Sequence, residues 1–256
     1  MGRLEDKIAI ITGGSGGIGK ATAQRFLAEG AHVVLVDLDD DALGAAAREL
    51  DGGDRVLTVR ADVSREEDVR GYVSATLERH GRIDVFFNNA GIEGKVAPLE
   101  SQELAMFDKV LAVNVRGAYL GLREVLPRMY ERRSGSVINT SSVAGLRGSA
   151  GVLPYVTSKH ALSGMTKVAA LEAAKYEVRV NSIHPSPVNT RMMRSLEAGF
   201  DPSDAEAARA GMAANIPLGR YGESDEIASL VLFLASDESR FITGAQYRID
   251  GGMGAA

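Results

Sequence analysis

Short apolar segments rich in β-branched residues alternate with helix-like segments along nearly the whole chain of 256 residues. Strands that are apolar throughout are buried on both faces of a sheet, and strand–helix alternation produces right-handed crossovers between parallel strands. We therefore predict an α/β fold: one doubly wound parallel sheet of about seven strands with helices on both faces. The predicted strands are 7–12, 32–37, 55–60, 83–87, 136–140, 178–183 and 245–249, and the predicted helices are 18–29, 40–50, 65–79, 104–130, 157–175 and 224–235.

The chain has no segment rich in Pro, Gly or Ser that would separate two domains, so we expect residues 1–256 to form a single domain. The longest stretch without a strand signal is 190–218, which contains Met192, Met193 and Met212. Long segments of this kind often cover a ligand site. We expect this one to cover the substrate; a poorly ordered excursion between the last two strands is the alternative.

Composition excludes several classes of function. The formal net charge of −5 argues against nucleic-acid and membrane partners, both of which require a basic face. The chain contains no cysteine, which excludes disulfides, thiolate metal sites and a cysteine nucleophile. Its four histidines have no metal-binding spacing, so we predict no metal site. With no signal-peptide layout and no apolar run near the ~20 residues of a membrane helix, we expect a cytoplasmic protein.

A glycine-rich segment follows the first predicted strand and leads directly into a helix. Glycines there let the backbone turn sharply and approach a pyrophosphate, while the helix N-terminus offers free N–H groups and a partial positive charge. An ordinary tight turn is the alternative, but a strand before and a helix after are what dinucleotide binding requires. We therefore predict a Rossmann-type cofactor site that begins with Thr12, Gly13, Gly14, Ser15, Gly16, Gly17, Ile18 and Gly19.

An acidic residue, Asp37, ends the second predicted strand, roughly 20 positions after the glycine-rich segment. A carboxylate there is placed to bind the hydroxyl groups of the adenosine ribose and repels a 2′-phosphate. The loop itself has Gly16 where a basic side chain would be needed to hold that phosphate. We therefore predict NAD rather than NADP, although a solvated carboxylate in the acidic run 37–41 is the alternative.

The spacing Thr-Gly-x-x-x-Gly-x-Gly at 12–19 resembles that of the short-chain dehydrogenase/reductase family. Further motifs agree with that family in order and position, from the first strand to the Ile-Asp-Gly-Gly sequence at 249–252. These motifs are Asp62-Val63, the Asn-Asn-Ala-Gly sequence at 88–91, Asn114, Ser142 and the Tyr-x-x-x-Lys sequence of Tyr155 and Lys159.

The resemblance implies where the cofactor is held. Asp62 and Val63 are expected to flank the adenine, and the segment 89–91 to line the middle of the cofactor. The segment after the sixth strand is expected to contact the nicotinamide carboxamide, although Ser186 stands there where the family usually has glycine. The complete expected cofactor set is Gly13, Ser15, Gly16, Gly17, Ile18, Gly19, Asp37, Leu38, Asp62, Val63, Asn89, Ala90, Gly91, Tyr155, Lys159, Pro185, Val188 and Thr190.

Tyr155 and Lys159 are four residues apart, so on a helix they share one face. A phenol with a pKa near 10 is a poor base at neutral pH, but an adjacent ammonium and an oxidised nicotinamide favour the phenolate. We therefore expect Lys159 to lower the pKa of Tyr155, which exchanges a proton with the substrate. An ordinary surface pair is the alternative for these two residues taken alone.

Ser142 follows a buried strand at the carboxyl edge of the sheet, where its hydroxyl can polarise a substrate oxygen. Its neighbour Ser141 competes for this role, but only Ser142 has the 13-residue spacing to Tyr155 of the family. By resemblance, Lys159 also contacts the nicotinamide ribose, and Asn114 holds a water molecule that links Lys159 to solvent. A polar residue that only kinks its helix is the alternative for Asn114.

The pocket near the predicted catalytic group is mostly apolar, which suits a secondary alcohol or ketone with a hydrocarbon body, possibly cyclic. By resemblance we expect a homotetramer paired through the helices after the fourth and fifth strands. Both helices have apolar residues on more than one side (Leu120, Leu122, Val125; Ala169, Ala170, Leu171), and a monomer is the alternative. The pocket candidates are Glu93, Val143, Ala144, Leu153, Pro187, Met192 and Met193.

These observations predict an NAD(H)-dependent oxidoreductase that transfers a hydride between nicotinamide and a small, largely apolar secondary alcohol or ketone. The cofactor carries the hydride, and the protein manages the proton. Two alternatives stay open. One is an NADPH-dependent 3-ketoacyl-carrier reductase, against which Asp37 argues; the other is a non-catalytic NAD-binding sensor, against which Ser142, Tyr155 and Lys159 argue.

Overall fold

A parallel β-sheet of seven strands forms the centre of the computed structural model, which describes residues 2–255. The strands are β1 (Ile8–Thr12), β2 (His32–Asp37), β3 (Val56–Arg60), β4 (Val85–Asn88), β5 (Gly135–Thr140), β6 (Val178–Pro185) and β7 (Gln246–Ile249). Their order across the sheet is β3-β2-β1-β4-β5-β6-β7, and each neighbouring pair is parallel. The predicted fold class is confirmed.

Helices cover both faces of this sheet and connect its strands. They are α1 (Gly17–Ala28), α2 (Asp40–Leu50), α3 (Glu66–His80), α4 (Leu104–Leu111), α5 (Ala118–Arg132), α6 (Leu153–Ala173), α7 (Arg191–Phe200), α8 (Ala205–Ala214) and α9 (Ser224–Ala235). Apolar residues of α1, α2 and α9 form one core with the sheet, and those of α3, α5 and α6 form another. The strand β1 contributes to both cores, because Ala9 and Ile11 belong to the first and Ile10 to the second.

Two predicted helices differ from the structure. The single helix predicted at 104–130 is α4 and α5 joined by a π-helical turn, Ala112–Gly117. A local widening of this kind leaves the apolar pattern of the flanking turns nearly unchanged, so the pattern did not reveal it. The helix predicted to begin at Thr157 begins at Leu153, with Pro154 in its first turn, where the missing N–H of proline is tolerated.

The segment 190–218 is largely helical rather than an irregular excursion, since it contains α7 and α8. Its side chains pack in a third apolar cluster around Met193 and Ile216, together with Val143, Tyr221 and Met253. This cluster attaches the segment to the residues that follow β5. In the described part of the chain, every helix is too short or too polar to cross a lipid bilayer.

Candidate active site

A cavity of about 1530 Å³ opens along the carboxyl edge of the sheet. The residues that follow β1, β4, β5 and β6 all contribute to its wall, including Gly13, Asn89, Ser142 and Ser186. The chain changes direction across the sheet between β1 and β4, and doubly wound folds bind ligands at such a switch point. Of the residues predicted to bind the cofactor or to take part in catalysis, all line this cavity except Gly19 and Asn114.

The glycine-rich segment forms a tight turn between β1 and α1. Gly13 has a φ of +64°, a conformation that glycine adopts without strain. A side chain at Gly19 would overlap the carbonyl oxygen of Gly13, so Gly19 is needed for close packing of the helix on the turn rather than as cavity wall. The helix α1 begins at Gly17 without a side-chain cap, which leaves its N-terminus available to an anion.

Asp37 lies beside this turn at the end of β2. Its Oδ2 accepts hydrogen bonds from the backbone N–H and the hydroxyl of Ser15, at 3.1 and 2.6 Å, and its Oδ1 accepts one from the N–H of Leu38 at 2.8 Å. The carboxylate is therefore fixed in the cavity wall rather than free in solvent. Among the lining residues from Gly13 to Ser64, none is lysine or arginine.

Polar side chains of the middle strands hold the cavity wall in place. Asn89 donates from Nδ2 to the carbonyl oxygen of Thr12 at 3.1 Å and accepts from the hydroxyl of Thr140 at 3.1 Å, which ties β1, β4 and β5 together. Asp62 accepts two hydrogen bonds from Ser64, from its N–H at 2.9 Å and its hydroxyl at 2.7 Å. One carboxylate oxygen of Asp62 is therefore already hydrogen-bonded within its own loop.

Ser142, Tyr155 and Lys159 come together at the centre of the cavity. Tyr155 and Lys159 lie in the first two turns of α6, and the Lys159 Nζ is 5.4 Å from the centroid of the Tyr155 ring. Lys159 is 3% exposed, and its ammonium donates to the carbonyl oxygen of Thr140 at 2.8 Å. Ser142 is close enough to the Tyr155 phenol to influence its pKa.

Ser141 is oriented differently from Ser142. Its hydroxyl donates to the backbone carbonyl of Lys159 at 2.9 Å and thereby fastens the end of β5 to α6. Ser142 has a weaker competing contact, a 3.4 Å hydrogen bond to the carbonyl of Pro185, and it accepts from Ala144 N–H at 3.1 Å. The hydroxyl of Ser142 is therefore less firmly held by the protein than that of Ser141, and the role of Ser142 stays a prediction.

The pKa of Tyr155 shifts opposite to the expectation. Burial raises the pKa of this phenol to about 12, the hydrogen bond from Ser142 opposes the rise, and the negative charge of Glu93 adds to it. Burial also lowers the pKa of Lys159 to about 8. Loss of hydration is the largest cause of this shift. The lowering expected from Lys159 together with an oxidised nicotinamide stays a prediction.

Asn114 lies behind the cavity wall, in the π-helical turn between α4 and α5. Its Oδ1 accepts from the N–H of Ile92 at 2.8 Å, and its Nδ2 donates to the carbonyl of Ile92 at 2.9 Å and to Ser158 Oγ at 3.0 Å. Both amide hydrogens are thus used by protein groups, and the side chain links the loop after β4 to α6. A water relay through Asn114 stays a prediction.

The segment after β6 lines the same cavity. Pro185, Val188 and Thr190 are all in its wall, and Thr190 stands at the start of α7. Ser186, the residue found where glycine is usual, is 8% exposed and does not have a positive φ. Its side chain therefore requires no strained backbone.

The part of the cavity next to Tyr155 is mainly apolar. Five of the pocket candidates lie in its wall, namely Val143, Ala144, Pro187, Met192 and Met193. Leu153 is not among the lining residues because it sits at the surface, and Glu93 is buried nearby without being part of the wall. Leu196, Phe200 and Met212 also line the wall, and they belong to the segment 190–218 that was expected to cover the substrate. Met253, in the segment after β7, also lines the wall and had no signal in the sequence.

Known proteins resemble this chain over almost its full length. A family model described as enoyl-(acyl carrier protein) reductase matches residues 13–254. Levodione reductase of Leifsonia aquatica is 45% identical, over 99% of this chain and 96% of that protein. The 3-oxoacyl-(acyl-carrier-protein) reductase of Thermotoga maritima is 38% identical, over 98% and 99%. Trans-4-hydroxycyclohexanecarboxylate dehydrogenase of Sinomonas cyclohexanicum is also 38% identical, over 98% and 93%.

Solved structures give the same picture. The crystal structure of levodione reductase has a TM-score of 0.97 at 44% identity and covers 99% of both chains. That of NAD+-bound xylitol dehydrogenase has a TM-score of 0.92 at 34% identity, covering 97% of this chain and 99% of the other. A 3-ketoacyl-(acyl-carrier-protein) reductase of Brucella melitensis complexed with NADH has a TM-score of 0.89 at 34% identity, covering 98% and 99%.

Proposed function

The chain belongs to the short-chain dehydrogenase/reductase family and is an oxidoreductase that acts on CH–OH groups, and from this premise we propose that it transfers a hydride between NAD(H) and a small, largely apolar secondary alcohol or ketone. One observation carries the proposal: Ser142, Tyr155 and Lys159 line the same cavity that contains the glycine-rich turn. Proton transfer and cofactor binding can therefore occur side by side.

The bound nicotinamide would accept or supply the hydride. The residues of the chain would manage the proton, with Tyr155 as acid and base, Ser142 as donor to the substrate oxygen, and Lys159 as a positive charge that stabilises the phenolate. Because burial raises the pKa of Tyr155 to about 12, the phenol of the resting site is protonated at neutral pH. It is ready to donate a proton to a ketone, whereas oxidation of an alcohol requires additional positive charge in the cavity or a high pH.

Asp37 supports NAD as the coenzyme. Its carboxylate is fixed by Ser15 and Leu38 at the end of the cavity proposed for the adenosine, where a 2′-phosphate would meet its charge without a nearby lysine or arginine in the wall. Two similar solved structures are described with NAD+ or NADH bound. The expected adenine contacts of Asp62 and Val63 are part of this proposal.

An apolar wall with methionine side chains supports a substrate with a hydrocarbon body. One relative is named for a hydroxycyclohexanecarboxylate, which favours a cyclic skeleton. The segment 190–218, which contributes Met192, Met193 and Met212 to the wall, is the proposed cover. An acyl-carrier substrate is a second candidate, since a 3-oxoacyl-(acyl-carrier-protein) reductase is 38% identical; Asp37 opposes the NADPH version of that activity.

We further propose a single cytoplasmic domain that assembles as a homotetramer. Five of the six apolar residues named for these helices in the sequence are buried in the core, namely Leu120, Leu122, Val125, Ala169 and Ala170. The exposed apolar side chains of these two helices, away from the start of α6, are instead Tyr119, Val168 and Leu171. These three residues, rather than the buried ones, support pairing of chains through the two helices.

Replacement of Tyr155 by phenylalanine tests the proposed function. We expect Tyr155→Phe to bind NADH as the unmodified chain does, because only a hydroxyl is lost, and to lose turnover by at least a hundredfold, in the range of general acid–base catalysis. Tyr119→Phe, the same change at an exposed tyrosine, is the control and should have normal turnover. The readouts are NADH absorbance during turnover and NADH fluorescence during binding. Equal turnover of Tyr155→Phe and the unmodified chain would refute the assignment.

A further inference from the structure

Glu197 is a buried carboxylate in the segment proposed as the cover, and the mechanism above does not use it. It lies in α7 and is 2% exposed. Met193, which lines the cavity, is four residues earlier, so the two side chains share the buried face of this helix. Leu196, next to Glu197, also lines the cavity, whereas Glu197 does not. The carboxylate therefore lies behind the part of the wall that α7 contributes.

The side chains around Glu197 join both helices of the cover to the segment that follows them. The ring of Tyr221, which is 5% exposed, has the guanidinium carbon of Arg194 at 5.8 Å from its centroid and that of Arg209 at 5.9 Å. The Tyr221 hydroxyl donates to the Met212 sulfur at 3.4 Å. Since Arg194 belongs to α7 and the other two partners belong to α8, one ring holds both helices.

The protein satisfies the Glu197 carboxylate poorly. Its Oε1 is 3.1 Å from Nη2 of Arg194, yet within residues 2–255 this oxygen accepts no hydrogen bond. The Tyr221 phenol is also close, since burial and the neighbouring Glu197 carboxylate raise its pKa. Removal of a carboxylate oxygen from water costs free energy unless hydrogen bonds replace the lost hydration. Glu197 therefore weakens the attachment of the cover.

Stability of the fold does not account for a carboxylate at this position. The surrounding cluster is apolar and includes Met193, Leu196 and Met212, so an apolar side chain of similar size would pack there at lower cost. Segments that open and close during turnover are held by weaker local packing than the rest of a protein. A destabilising group inside the attachment of the cover is what such a movement requires.

We propose that Glu197 is a positioning residue that keeps the closed position of the cover marginally stable, so that α7 and α8 open together to admit substrate and release product. The inference rests on the proposed function, because it assigns the movement to the segment that covers the substrate. Contact of the hydrocarbon body of the substrate with Met193 and Leu196 favours the closed position. The empty chain has the cover open for a larger fraction of the time.

The test measures opening of the cover by limited digestion with trypsin, as the rate of cleavage after Arg209. This bond lies within α8 and is cleaved only when the helix opens, and it is far enough from position 197 that the sequence around it is unchanged. The variants are Glu197→Met and Glu197→Gln, and Glu100→Met is the control at an exposed position. Arg194 can stay hydrated without its partner, because its side chain is 38% exposed.

Glu197→Met should slow this cleavage about fivefold or more and raise Tm by about 2 °C or more, because the buried charge is removed. Glu197→Gln should change both in the same direction by a smaller amount, and Glu100→Met should change neither. With cyclohexanol and NAD, KM of Glu197→Met should fall about threefold or more without a rise in kcat, since more of the empty chain already has the cover in place.

A residue that only supports the fold would give the opposite result, with faster cleavage and a lower Tm in both Glu197 variants. That result, or cleavage and Tm equal to those of the unmodified chain, overturns the inference and leaves the proposed function intact, as does an unchanged or higher KM. If Glu197→Met does not fold, Glu197→Gln decides by the same criteria. If the unmodified chain turns over neither cyclohexanol nor cyclohexanone, the proposed function is contradicted. Cleavage and Tm then decide the inference, because neither requires turnover.

Discussion

Lys159 is fully buried without an acidic partner, and this arrangement has an energetic consequence. Its ammonium has a single polar contact, the carbonyl of Thr140. Burial lowers the pKa of Lys159 from 10.5 to about 8, so between these values the folded chain holds one proton fewer than the unfolded chain. The free energy of unfolding therefore rises with pH across this window, by about 3 kcal/mol for this group. Below pH 8 the buried charge destabilises the fold.

Lys159→Met should accordingly be more stable than the unmodified chain at pH 7, by about 2 kcal/mol, because it removes the buried charge at the cost of one hydrogen bond of about 1 kcal/mol. At pH 10 the advantage should be lost, since Lys159 is then neutral in the folded chain. Urea denaturation at the two pH values measures the difference, with exposed Lys167→Met as the control. A stability difference that is independent of pH would contradict the assigned shift.

Asp37→Asn tests the coenzyme preference at the opposite end of the cavity. The amide keeps an oxygen that can accept from Ser15 but lacks the charge that repels a 2′-phosphate. We expect the ratio of kcat/KM for NAD to that for NADP to fall about tenfold, which corresponds to about 1.4 kcal/mol. Asp40→Asn, in the first turn of α2, is the control. Preference of the unmodified chain for NADP, or an unchanged ratio in Asp37→Asn, would contradict the proposal.

Individual residues differ in how far the sequence could predict their behaviour. Tyr155 and Lys159 could be paired because a spacing of four residues on a helix is a local property. The direction of the pKa shift of Tyr155 could not be predicted, because it depends on burial and on groups from other parts of the chain, including Ser142 and Glu93. The buried environment of Glu93 had no local signal for the same reason.

At the scale of elements, the close approach of β5 and α6 depends on one glycine. Gly145 ends the single 3-10 turn Val143–Gly145 that follows Ser142. A Cβ at Gly145 would overlap Ser141 Oγ and lie 2.6 Å from the carbonyl oxygen of Lys159. Both neighbours belong to the hydrogen bond that fastens β5 to α6. The turn and the helix can therefore approach this closely only without a side chain.

Gly145→Ala should lower the free energy of unfolding by about 1–3 kcal/mol through overpacking, and it should reduce turnover by separating Ser142 from Tyr155. Gly148→Ala, three residues later, is the matched control, because a Cβ there has no atom within 4 Å. This control should change stability by no more than about 0.5 kcal/mol. Urea denaturation and NADH-coupled turnover measure the two effects. If Gly145→Ala is as stable and active as Gly148→Ala, the turn accommodates the extra methyl group and the prediction is contradicted.

The π-helical turn illustrates what the sequence does not reveal about elements. The apolar pattern of 104–130 is consistent with a continuous helix, and the extra residue per turn at Ala112–Gly117 has no separate signature. The turn becomes understandable from its contacts, since Asn114 bonds both the N–H and the carbonyl of Ile92. The strands, in contrast, were predicted closely because they are apolar on both faces.

For the whole molecule, assembly should depend on the exposed apolar side chains of α5 and α6. Leu171 is 81% exposed, so its side chain is accessible to a second chain. Leu171→Glu should therefore shift the sedimentation-equilibrium mass from four chains toward two or one. Leu99→Glu, the same change at a leucine that is 69% exposed outside these helices, is the control. A tetramer unaffected by Leu171→Glu would assign the interface elsewhere, and a monomeric unmodified chain would contradict the tetramer.

The central position of β1 has a consequence for how the chain acquires its structure. Ala9 pairs with Val33 on one side and with Val85 on the other, which are 24 and 76 positions further along the chain. Pairing over such separations is slow, because loop-closure entropy is lost before the contacts form. During synthesis at the ribosome, one edge of the apolar strand β1 has no partner until β4 has been made. A chain with such an exposed edge is prone to aggregation. Slower synthesis, lower temperature or chaperones should therefore raise the yield of native protein.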